Sequence, residues 1–222
     1  MHRWPLPVRR DHRGGLRGRP SRDRSLERRG HRQPGRTHRR ASRLCVRERS
    51  SVPEARLVSA TCAGIRCHSL YVPNGRTLDD PHYTYKLAWL DRLGAQLGDE
   101  LDRGLDVVAG GDFNVAPTSA DIYDPRRWVG KTHASPAERE RLAAIEALGY
   151  TDAVRHLCPE PELYTWWSYR PGQLEQNRGL RIDLIFTSPK VTERLAEAWV
   201  DRAERAAVRP SDHAPVGIRL TG

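Results

Sequence analysis

Residues 107–114 read VVAGGDFN, an apolar run that ends in two glycines followed by Asp, Phe and Asn. The run predicts a buried β-strand over residues 105–109. Because alternate residues of an extended chain point to the same side, Asp112 and Asn114 should face one site while Phe113 returns to the core. The glycines let the backbone bend or approach a ligand closely. A plainer interpretation is that both polar residues cap local turn amides.

The net charge of the 222-residue chain is +10, but the charge is distributed unevenly. Residues 1–56 contain 18 arginines, no lysine and 5 acidic residues, which gives a net charge of +13. Residues 57–222 have a net charge of −3. Excess positive charge favours a polyanionic partner such as nucleic acid. Here that argument applies only to the first quarter of the chain.

The first 52 residues are rich in Arg, Gly, Pro, Ser and His and lack apolar periodicity. Such a segment buries too little apolar surface to offset chain entropy, so residues 1–52 are predicted to be disordered. Two origins are open: an arginine-rich arm that binds nucleic acid phosphates, or the product of a shifted reading frame in a G+C-rich gene. We favour the second, because arginine occurs without lysine. A folded domain is predicted over residues 53–222.

The cysteines Cys45, Cys62, Cys67 and Cys158 form no C-x-x-C pair and no metal-binding spacing. This usage is typical of reduced thiols in a cytoplasmic protein. No apolar run is long enough to cross a bilayer, and no apolar segment of the signal-peptide kind follows Met1. The sequence therefore predicts a cytoplasmic protein that does not contact a membrane.

After residue 53 the chain shows alternating strand and helix patterns. Apolar, β-branched runs at 57–62 and 65–72 flank an Ala-Gly pair and predict a β-hairpin. Leucines at helical spacing predict an amphipathic helix over 83–101. The sequence Ser-Pro-Ala-Glu at 135–138 predicts the start of a second helix with a capping box. Further strands are predicted at 164–170, where four aromatic residues occur, at 180–186, and within 210–220.

Polar residues recur where these strands begin or end. Tyr71 closes the second strand of the hairpin, and Asp183 interrupts an apolar run. Asp212 and His213 precede the last strand. A carboxylate among apolar neighbours needs a partner, and His213 is the candidate partner of Asp183. One such residue alone is usually structural, whereas several of them at strand ends predict a shared site.

Four segments, in this order, resemble the signatures of the exonuclease III and abasic-site endonuclease family, within the endonuclease, exonuclease and phosphatase superfamily. They are YVPNG at 71–75, GDFN at 111–114, NRGLRID at 177–183 and SDHAPV at 211–216. The similarity covers about residues 53–222. It implies an α/β fold, a four-layered DNase I-like sandwich of two mixed β-sheets flanked by helices, with its N-terminal strands missing. The family's upstream Asn and metal-binding Glu have no counterpart in residues 1–52, so the resemblance implies an incomplete domain and impaired activity.

The resemblance implies a DNA repair hydrolase that uses Mg²⁺, with Mn²⁺ as an alternative. It would act as a monomer that cuts duplex DNA at abasic sites and hydrolyses it from 3′ ends. Asp112 would activate or orient the attacking water, Asn114 would help to orient it, and Tyr71 would contact the scissile phosphate. Asp183 would hold His213 in the orientation that meets a phosphate oxygen.

The resemblance also assigns binding residues. The implied metal ligands are Asp112, Asn114 and Asp212, whose oxygens are the hard donors that Mg²⁺ prefers. The implied substrate-binding residues are Asn177, Trp166, Leu180 and Ile182. Trp166, Leu180 and Ile182 would line a small apolar slot that admits an extruded base-free sugar and rejects a normal nucleotide.

Two other functions stay open. A phosphodiesterase or phosphatase of the same superfamily acting on a non-DNA substrate would share the catalytic residues. The segment 177–183 and the aromatic run at 164–170 favour the DNA branch over it. An inactive chain that binds nucleic acid through its arginine-rich arm would bind DNA with a steep salt dependence and leave it uncut.

Overall fold

The computed structural model describes residues 55–222 and the backbone of strand His38–Arg40. The segment 1–52, predicted to be disordered or frame-shifted, lies outside the described residues apart from that strand. In the described part of the chain, no helix is long and apolar enough to cross a membrane. The elements are β1 (His38–Arg40), β2 (Leu57–Cys62), β3 (Ile65–Tyr71), α1 (Pro81–Asp102), β4 (Val107–Asp112), α2 (Pro136–Ala147), β5 (Thr151–Asp152), α3 (Ala153–Leu157), β6 (Asp183–Thr187), α4 (Pro189–Thr192), β7 (Leu195–Val200), α5 (Arg202–Arg205) and β8 (Val216–Leu220).

A six-stranded mixed sheet, in the order β1-β2-β3-β4-β6-β5, forms the centre of the described structure. Strands β3 and β4 are parallel and are connected through α1, while the other neighbours are antiparallel. Strands β7 and β8 form a separate antiparallel pair. The predicted α/β fold with a mixed sheet is confirmed. Among the residues described, the second sheet consists of the β7-β8 pair alone.

One face of the central sheet packs against α1 and α2. Trp89 and Leu93 of α1 and Ile145 of α2 are fully buried, as are Val107 and Ala109 of β4. The buried residues of β4 alternate, because successive side chains of a strand point to opposite faces. Complete burial of each large apolar side chain stabilises the fold by about 1.5–3 kcal/mol. This layer therefore fixes the sheet on which the site is built.

Strand β4 continues through both glycines and ends at Asp112, so the strand predicted over 105–109 is displaced towards the carboxyl end. The reason lies at Gly111, whose φ is 150° and whose added Cβ would lie 2.0 Å from the carbonyl oxygen of Leu70. The glycine allows β3 and β4 to approach closely rather than making a bend. Phe113 is fully buried, as predicted.

The hairpin is confirmed at 57–62 and 65–71, with its turn residues Ala63 and Gly64 at positive φ. The strand predicted at 164–170 is wrong. Trp166 makes only isolated bridges, one to Leu180 and one to His213. Because the backbone of this segment bonds to two different partners, no continuous ladder forms. The next strand accordingly begins at Asp183 rather than at residue 180.

Helix α2 begins as predicted, with a capping box at Ser135. The Glu138 backbone N–H donates to Ser135 Oγ at 3.2 Å, and the Ser135 backbone N–H donates to Glu138 Oε2 at 3.0 Å. Ser135 Oγ also lies 2.6 Å from the Tyr83 hydroxyl of α1. The cap therefore links the two helices as well as starting one of them.

Replacing this cap should destabilise the fold. We expect Ser135→Ala to lower the free energy of unfolding by about 1–2 kcal/mol, because one helix N–H and the Tyr83 hydroxyl lose their partner. Urea unfolding followed by tryptophan fluorescence measures this difference. Ser69→Ala, on the exposed side of β3, should change stability by less than about 0.5 kcal/mol. Equal stability of the two variants would contradict the role of the cap.

Candidate functional site

The polar residues predicted at strand ends meet at one edge of the central sheet. Tyr71 pairs in register with Asp112, and Asp112 pairs with Asp183 at the start of β6. His213 Nδ1 lies 2.9 Å from Asp183 Oδ2, and its Nε2 lies 4.0 Å from Asp112 Oδ2. Strand pairing thus brings together Tyr71, Asp112 and Asp183, and the contact with Asp183 adds His213. A cleft of about 640 Å³ that is lined by Asp183 and His213 opens beside them.

Asn114 lies beneath Asp112 and holds its carboxylate. Its backbone N–H donates to Asp112 Oδ1 at 2.8 Å, and its side-chain amide donates to Oδ2 at 2.9 Å. The same amide donates to the Val72 carbonyl and accepts from Asn74. Asn114 is 3% exposed and has a φ of 53°, a left-handed conformation that Asn adopts more readily than most residues. It is placed to orient Asp112, and its role as a metal ligand stays a prediction.

Asp112 carries an unusual carboxyl group. Burial, followed by the charge of Asp183, raises its pKa to about 7, although His213, the Asn114 N–H and Lys86 act in the opposite direction. A carboxylate with a pKa near neutrality can accept a proton from water. Two crowded carboxylates also favour a neighbouring cation, because like charges otherwise disfavour ionisation.

His213 is arranged as a donor towards the site. Burial lowers its pKa, but the hydrogen bond and charge of Asp183, together with the charge of Asp112, outweigh burial and raise the pKa above its ordinary value. Because Nδ1 faces the Asp183 carboxylate, Nε2 is the ring nitrogen on the side of Asp112. The partner of one ring nitrogen fixes what the other can do. Protonated His213 can therefore donate from Nε2 to an anionic group.

These side chains also fit a divalent cation. Within the described residues, candidate ligand atoms of Asp112, Asp183 and His213 all lie within 4.8 Å of one another, and when His213 is protonated the two carboxylates are the ligands that remain. Carboxylate oxygens suit Mg²⁺ and Mn²⁺. The pKa of Asp112 is raised first by burial and then by the charge of Asp183, and a cation would neutralise the second contribution. The donor set could therefore hold a divalent cation.

Metal binding should strengthen as the pH rises towards 7. The raised pKa of Asp112 means that this acid is protonated below about pH 7, and a cation has to displace the proton. We expect the apparent dissociation constant for Mn²⁺ to fall about tenfold per pH unit below pH 7 and to level off above it. Calorimetric titration in buffers of different ionisation enthalpy measures affinity and proton release together. A flat affinity without proton release would contradict this assignment.

Asp212 and Trp166, both predicted site residues, bind each other. Trp166 Nε1 donates to Asp212 Oδ2 at 2.9 Å. The Asp212 carboxylate is thus outside the three-residue group just described, although its charge helps to raise the pKa of His213. Its role as a metal ligand stays a prediction. The bond itself ties Trp166 to the turn that carries His213.

Three residues predicted to line an apolar slot, Trp166, Leu180 and Ile182, lie together. Leu180 and Ile182 are 2% and 3% exposed, and they pack with Ala116 and Ile122 against the half-buried Trp166. Their role in lining a slot for a base-free sugar stays a prediction. Trp166 borders a neighbouring hollow of about 370 Å³. Four basic side chains line the same hollow: Arg127, Lys131, Arg170 and Arg178.

Asn177 braces a loop. Its Oδ1 accepts from Trp167 Nε1 at 3.2 Å and from Arg202 at 3.1 Å, and its Nδ2 donates to the Glu162 carbonyl at 3.0 Å. Its φ of 52° lies in the left-handed region. The side-chain oxygen and nitrogen are both bonded to the protein. Its predicted role in substrate binding therefore has no direct support from these contacts and stays a prediction.

The sequence did not reveal a buried polar layer beneath the site. Lys86 of α1 and Glu138 of α2 are both 0% exposed and form an ion pair. Lys86 Nζ also donates to the carbonyl of Asn114 at 2.7 Å. Glu138 was predicted only as a helix cap. A lone lysine in an amphipathic helix is mostly exposed, so no pattern in the sequence marked Lys86.

The chain resembles known nucleases in sequence and in structure. The model of the Endonuclease/Exonuclease/phosphatase family matches residues 4–213. The exodeoxyribonuclease of Bacillus subtilis is 32% identical over 166 residues, which are 74% of this chain and 64% of the relative. This chain therefore spans less than two thirds of the length of that relative.

Two solved structures agree with this. The 3′ phosphatase NExo from Neisseria, bound to a product DNA hairpin, matches with a TM-score of 0.76 and 38% identity over 84% of this chain and 70% of that one. An AP endonuclease from Archaeoglobus fulgidus matches with a TM-score of 0.73 and 34% identity over 78% of this chain and 68% of that one. The similarity to both therefore extends over most of the described residues.

Proposed function

Since this chain belongs to the Endonuclease/Exonuclease/phosphatase family, we propose that it hydrolyses phosphodiester bonds of duplex DNA at abasic sites and from 3′ ends. The observation that carries the proposal is the meeting of Asp112, Asp183 and His213 at one sheet edge. Mg²⁺ is the proposed metal, and Mn²⁺ would replace it. We further propose that the chain works as a cytoplasmic monomer and that its fold is a four-layered α/β sandwich.

Hydrolysis of a phosphodiester needs a nucleophilic water, neutralised charge on the phosphate oxygens and stabilisation of the leaving oxygen. Asp112, held by two N–H groups of Asn114, would orient the water and accept its proton. A bound divalent cation, held by the carboxylates of Asp112 and Asp183, would neutralise phosphate charge. His213 would donate from Nε2 to a phosphate oxygen while Asp183 binds its Nδ1. Tyr71, 50% exposed and in register with Asp112, would present its hydroxyl to the same phosphate.

Residues 57–222 are slightly acidic overall, so their net charge does not attract DNA. A local basic surface would therefore have to bind the DNA backbone. The hollow beside Trp166 is lined by four Arg and Lys side chains. The guanidinium of Arg56 lies 4.9 Å from the centroid of the Tyr71 ring and adds positive charge near the site. Phosphate contacts of this kind position a duplex without reading its sequence. Trp166 would then stack on the sugar or base displaced at the cleavage site.

Removal of a 3′-phosphate is a second proposed activity, favoured by the similarity to the 3′ phosphatase NExo. The chemistry is closely related, because water attacks a phosphorus atom whose oxygens carry negative charge in both reactions. Asp112 and His213 would serve the same purposes. The two activities would differ in the leaving strand and in the DNA contacts, which the basic hollow would provide.

Three labelled duplexes test the proposal: one with a single abasic-site analogue, one with a recessed 3′-hydroxyl and one with a 3′-phosphate at a nick. Each is incubated with Mg²⁺ and, separately, with EDTA. We expect at least one product series that requires the metal, and its identity assigns the main activity. Folded chain that leaves all three substrates intact would contradict the proposal. Binding with a steep salt dependence but no cleavage would support the inactive DNA-binding alternative.

A further inference from the structure

Lys86 lies on the face of α1 that packs beneath the site, and its ammonium group is fully buried. Burying a charge is costly unless it is paired and hydrogen-bonded. Lys86 Nζ has four acceptors. They are the carbonyls of Asn74 and Asn114, Thr132 Oγ1 and Glu138 Oε1. An ammonium group has only three N–H donors, so its bonding capacity is fully used.

Two of these acceptors belong to the loops that carry the site. The Asn114 carbonyl accepts from Lys86 Nζ at 2.7 Å and from His133 Nδ1 at 2.7 Å. Asn114 has a positive φ, and its two N–H groups hold the Asp112 carboxylate. Fixing the Asn114 carbonyl fixes the peptide that carries this residue. Lys86 thereby acts on the direction of Asp112 through one intermediate residue.

The loop after β3 rests on the same ammonium group. Lys86 Nζ donates to the Asn74 carbonyl at 3.2 Å, and the Asn74 side chain donates to Asn114 Oδ1 at 3.2 Å. Gly75 allows the loop to pack closely on Lys86, because a Cβ at this position would lie 2.7 Å from Thr132 Oγ1 and 3.0 Å from Lys86 Cδ. Lys86 therefore joins the loop after Tyr71 to the loop after Asp112.

Glu138 keeps the buried lysine charged and in place. Burial lowers the pKa of Lys86, and the neighbouring Glu138 carboxylate opposes that shift. Glu138 Oε1 also accepts from the His133 backbone N–H at 3.0 Å, and Oε2 accepts from Ser135 at the start of α2. The carboxylate is thus fixed by the helix it caps. The ion pair connects a rigid helix start to both site loops.

Stability alone does not require this pair. A buried ion pair is often no more stable than apolar side chains of the same volume, and the surroundings in α1 are largely apolar. The acceptors of Lys86 indicate a role beyond stability. Its ammonium group donates to main-chain oxygens of two loops that border the same site. Removing a group that orients the ligands of a metal site typically lowers metal affinity or activity by about 10–100-fold.

We propose that Lys86, held by Glu138, is a positioning residue that sets the conformation of Asn114 and so aims the Asp112 carboxylate. This inference rests on the proposed nuclease function for its kinetic readout, whereas metal binding tests it independently. Because Lys86 is fully buried, it would touch neither DNA nor the reacting atoms. Its loss should lower the rate of the chemical step and the affinity for the cation, and should leave affinity for DNA nearly unchanged.

Lys86→Met is the decisive variant, because it removes the ammonium group and keeps most of the volume. We expect kcat on the abasic-site duplex to fall about 10–100-fold, with KM within about threefold of wild type. The dissociation constant for Mn²⁺, measured by electron paramagnetic resonance without DNA, should rise about tenfold or more. A variant that is folded and has wild-type kcat and Mn²⁺ affinity overturns the proposal.

Glu100→Gln is the matched control. Glu100 is a buried carboxylate on the same helix and binds His68 at 2.6 Å, but it lies about 21 Å from Lys86 along the helix axis. It should lower the melting temperature and leave kcat and Mn²⁺ affinity as in wild type. If Lys86→Met lowers the melting temperature in the same way and changes nothing else, Lys86 is only structural.

The proposal can still be tested if Lys86→Met does not fold or if the wild-type chain cuts no DNA. If Lys86→Met does not fold, Thr132→Val removes the hydroxyl that lies 2.9 Å from the Asn74 carbonyl and 3.1 Å from Lys86 Nζ. It should lower kcat and Mn²⁺ affinity about 3–10-fold, and unchanged values overturn the proposal. If the wild-type chain cuts no DNA, the proposed function fails. The affinity for Mn²⁺ then tests the positioning role by itself. Equal Mn²⁺ affinities of wild type and Lys86→Met would overturn that role.

Discussion

Asp112→Asn should reduce cleavage of an abasic-site duplex by at least about 10⁴-fold without unfolding the chain. The carboxylate would act both as the acceptor of the water proton and as a metal ligand. The first role alone is worth about 10²–10⁴-fold, and weaker metal binding adds to it. The amide has nearly the same shape, so the hydrogen bond from the Asn114 backbone should persist. Single-turnover cleavage with saturating Mg²⁺ measures the loss.

The same substitution should stabilise the metal-free chain at pH 8. The raised pKa of Asp112 means that the folded state holds a proton up to about pH 7, whereas the unfolded state releases it near pH 4. Wild-type stability attributable to this group therefore falls as the pH rises from about 4 to about 7. The uncharged variant lacks this loss, so we expect its melting temperature at pH 8 to exceed that of wild type. Each gain of about 1 kcal/mol in the free energy of unfolding raises it by about 2–4 °C.

Asp99→Asn is the control, because Asp99 is an exposed carboxylate of α1. It should leave both cleavage and melting temperature as in wild type. Full activity of Asp112→Asn would contradict the assigned chemistry. A fall in melting temperature together with lost activity would instead indicate that Asp112 is needed for folding.

Asp183→Asn should reduce kcat by about 10²–10³-fold, the second largest effect we expect. In the wild type both carboxylate oxygens lie within 3.1 Å of His213 Nδ1, which leaves Nε2 on the side of Asp112. An amide cannot stabilise the protonated ring in the same way, and its NH₂ group can select the wrong tautomer. The substitution also removes one carboxylate from the three-residue metal group.

The pKa of His213 supplies a direct physical readout for this variant. Because Asp183 raises that pKa, its replacement by Asn should lower it. Proton NMR titration of the imidazole resonance in metal-free buffer measures the shift, and the resonance of the exposed His156 should not move. An unchanged pKa of His213 would contradict the pairing, whatever the activity of the variant.

The sequence predicted the site well where strand register alone determines position. Tyr71, Asp112 and Asp183 come together because β3, β4 and β6 pair with no irregularity at their ends. Residues that close one edge of a sheet can be recognised from apolar runs and the polar residues that end them. The partnership of Asp183 with His213 followed from the cost of an unpaired buried carboxylate.

Prediction from sequence failed where contacts between distant residues determine burial or strand formation. Lys86 is buried because Thr132 and Glu138, 46 and 52 residues further along the chain, supply its acceptors. Helical periodicity contains no information about those partners. The segment around Trp166 has strand-like composition, yet it bonds alternately to Leu180 and to the turn before β8. Local propensity cannot reveal that such partners interrupt a ladder.

Leu180 and Ile182 show a related limit. The resemblance implies that they line a slot for a base-free sugar, which stays a prediction. Both are almost fully buried and pack with Trp166, and Leu180 also lines the hollow beside it. Pocket shape depends on how neighbouring side chains pack, and Ala116 and Ile122 pack with these two residues. The basic hollow that Trp166 and Leu180 line is the surface we propose for DNA.

Metal-dependent cleavage of a duplex with one abasic-site analogue, by chain freed of metal and then given Mg²⁺, tests the central claim most directly. The arrangement of Asp112, Asp183 and His213 predicts no cleavage with EDTA and cleavage that appears on addition of Mg²⁺. Asp112→Asn, purified in parallel, excludes a contaminating nuclease. Folded wild-type chain that binds the duplex and leaves it intact at saturating Mg²⁺ would contradict the account.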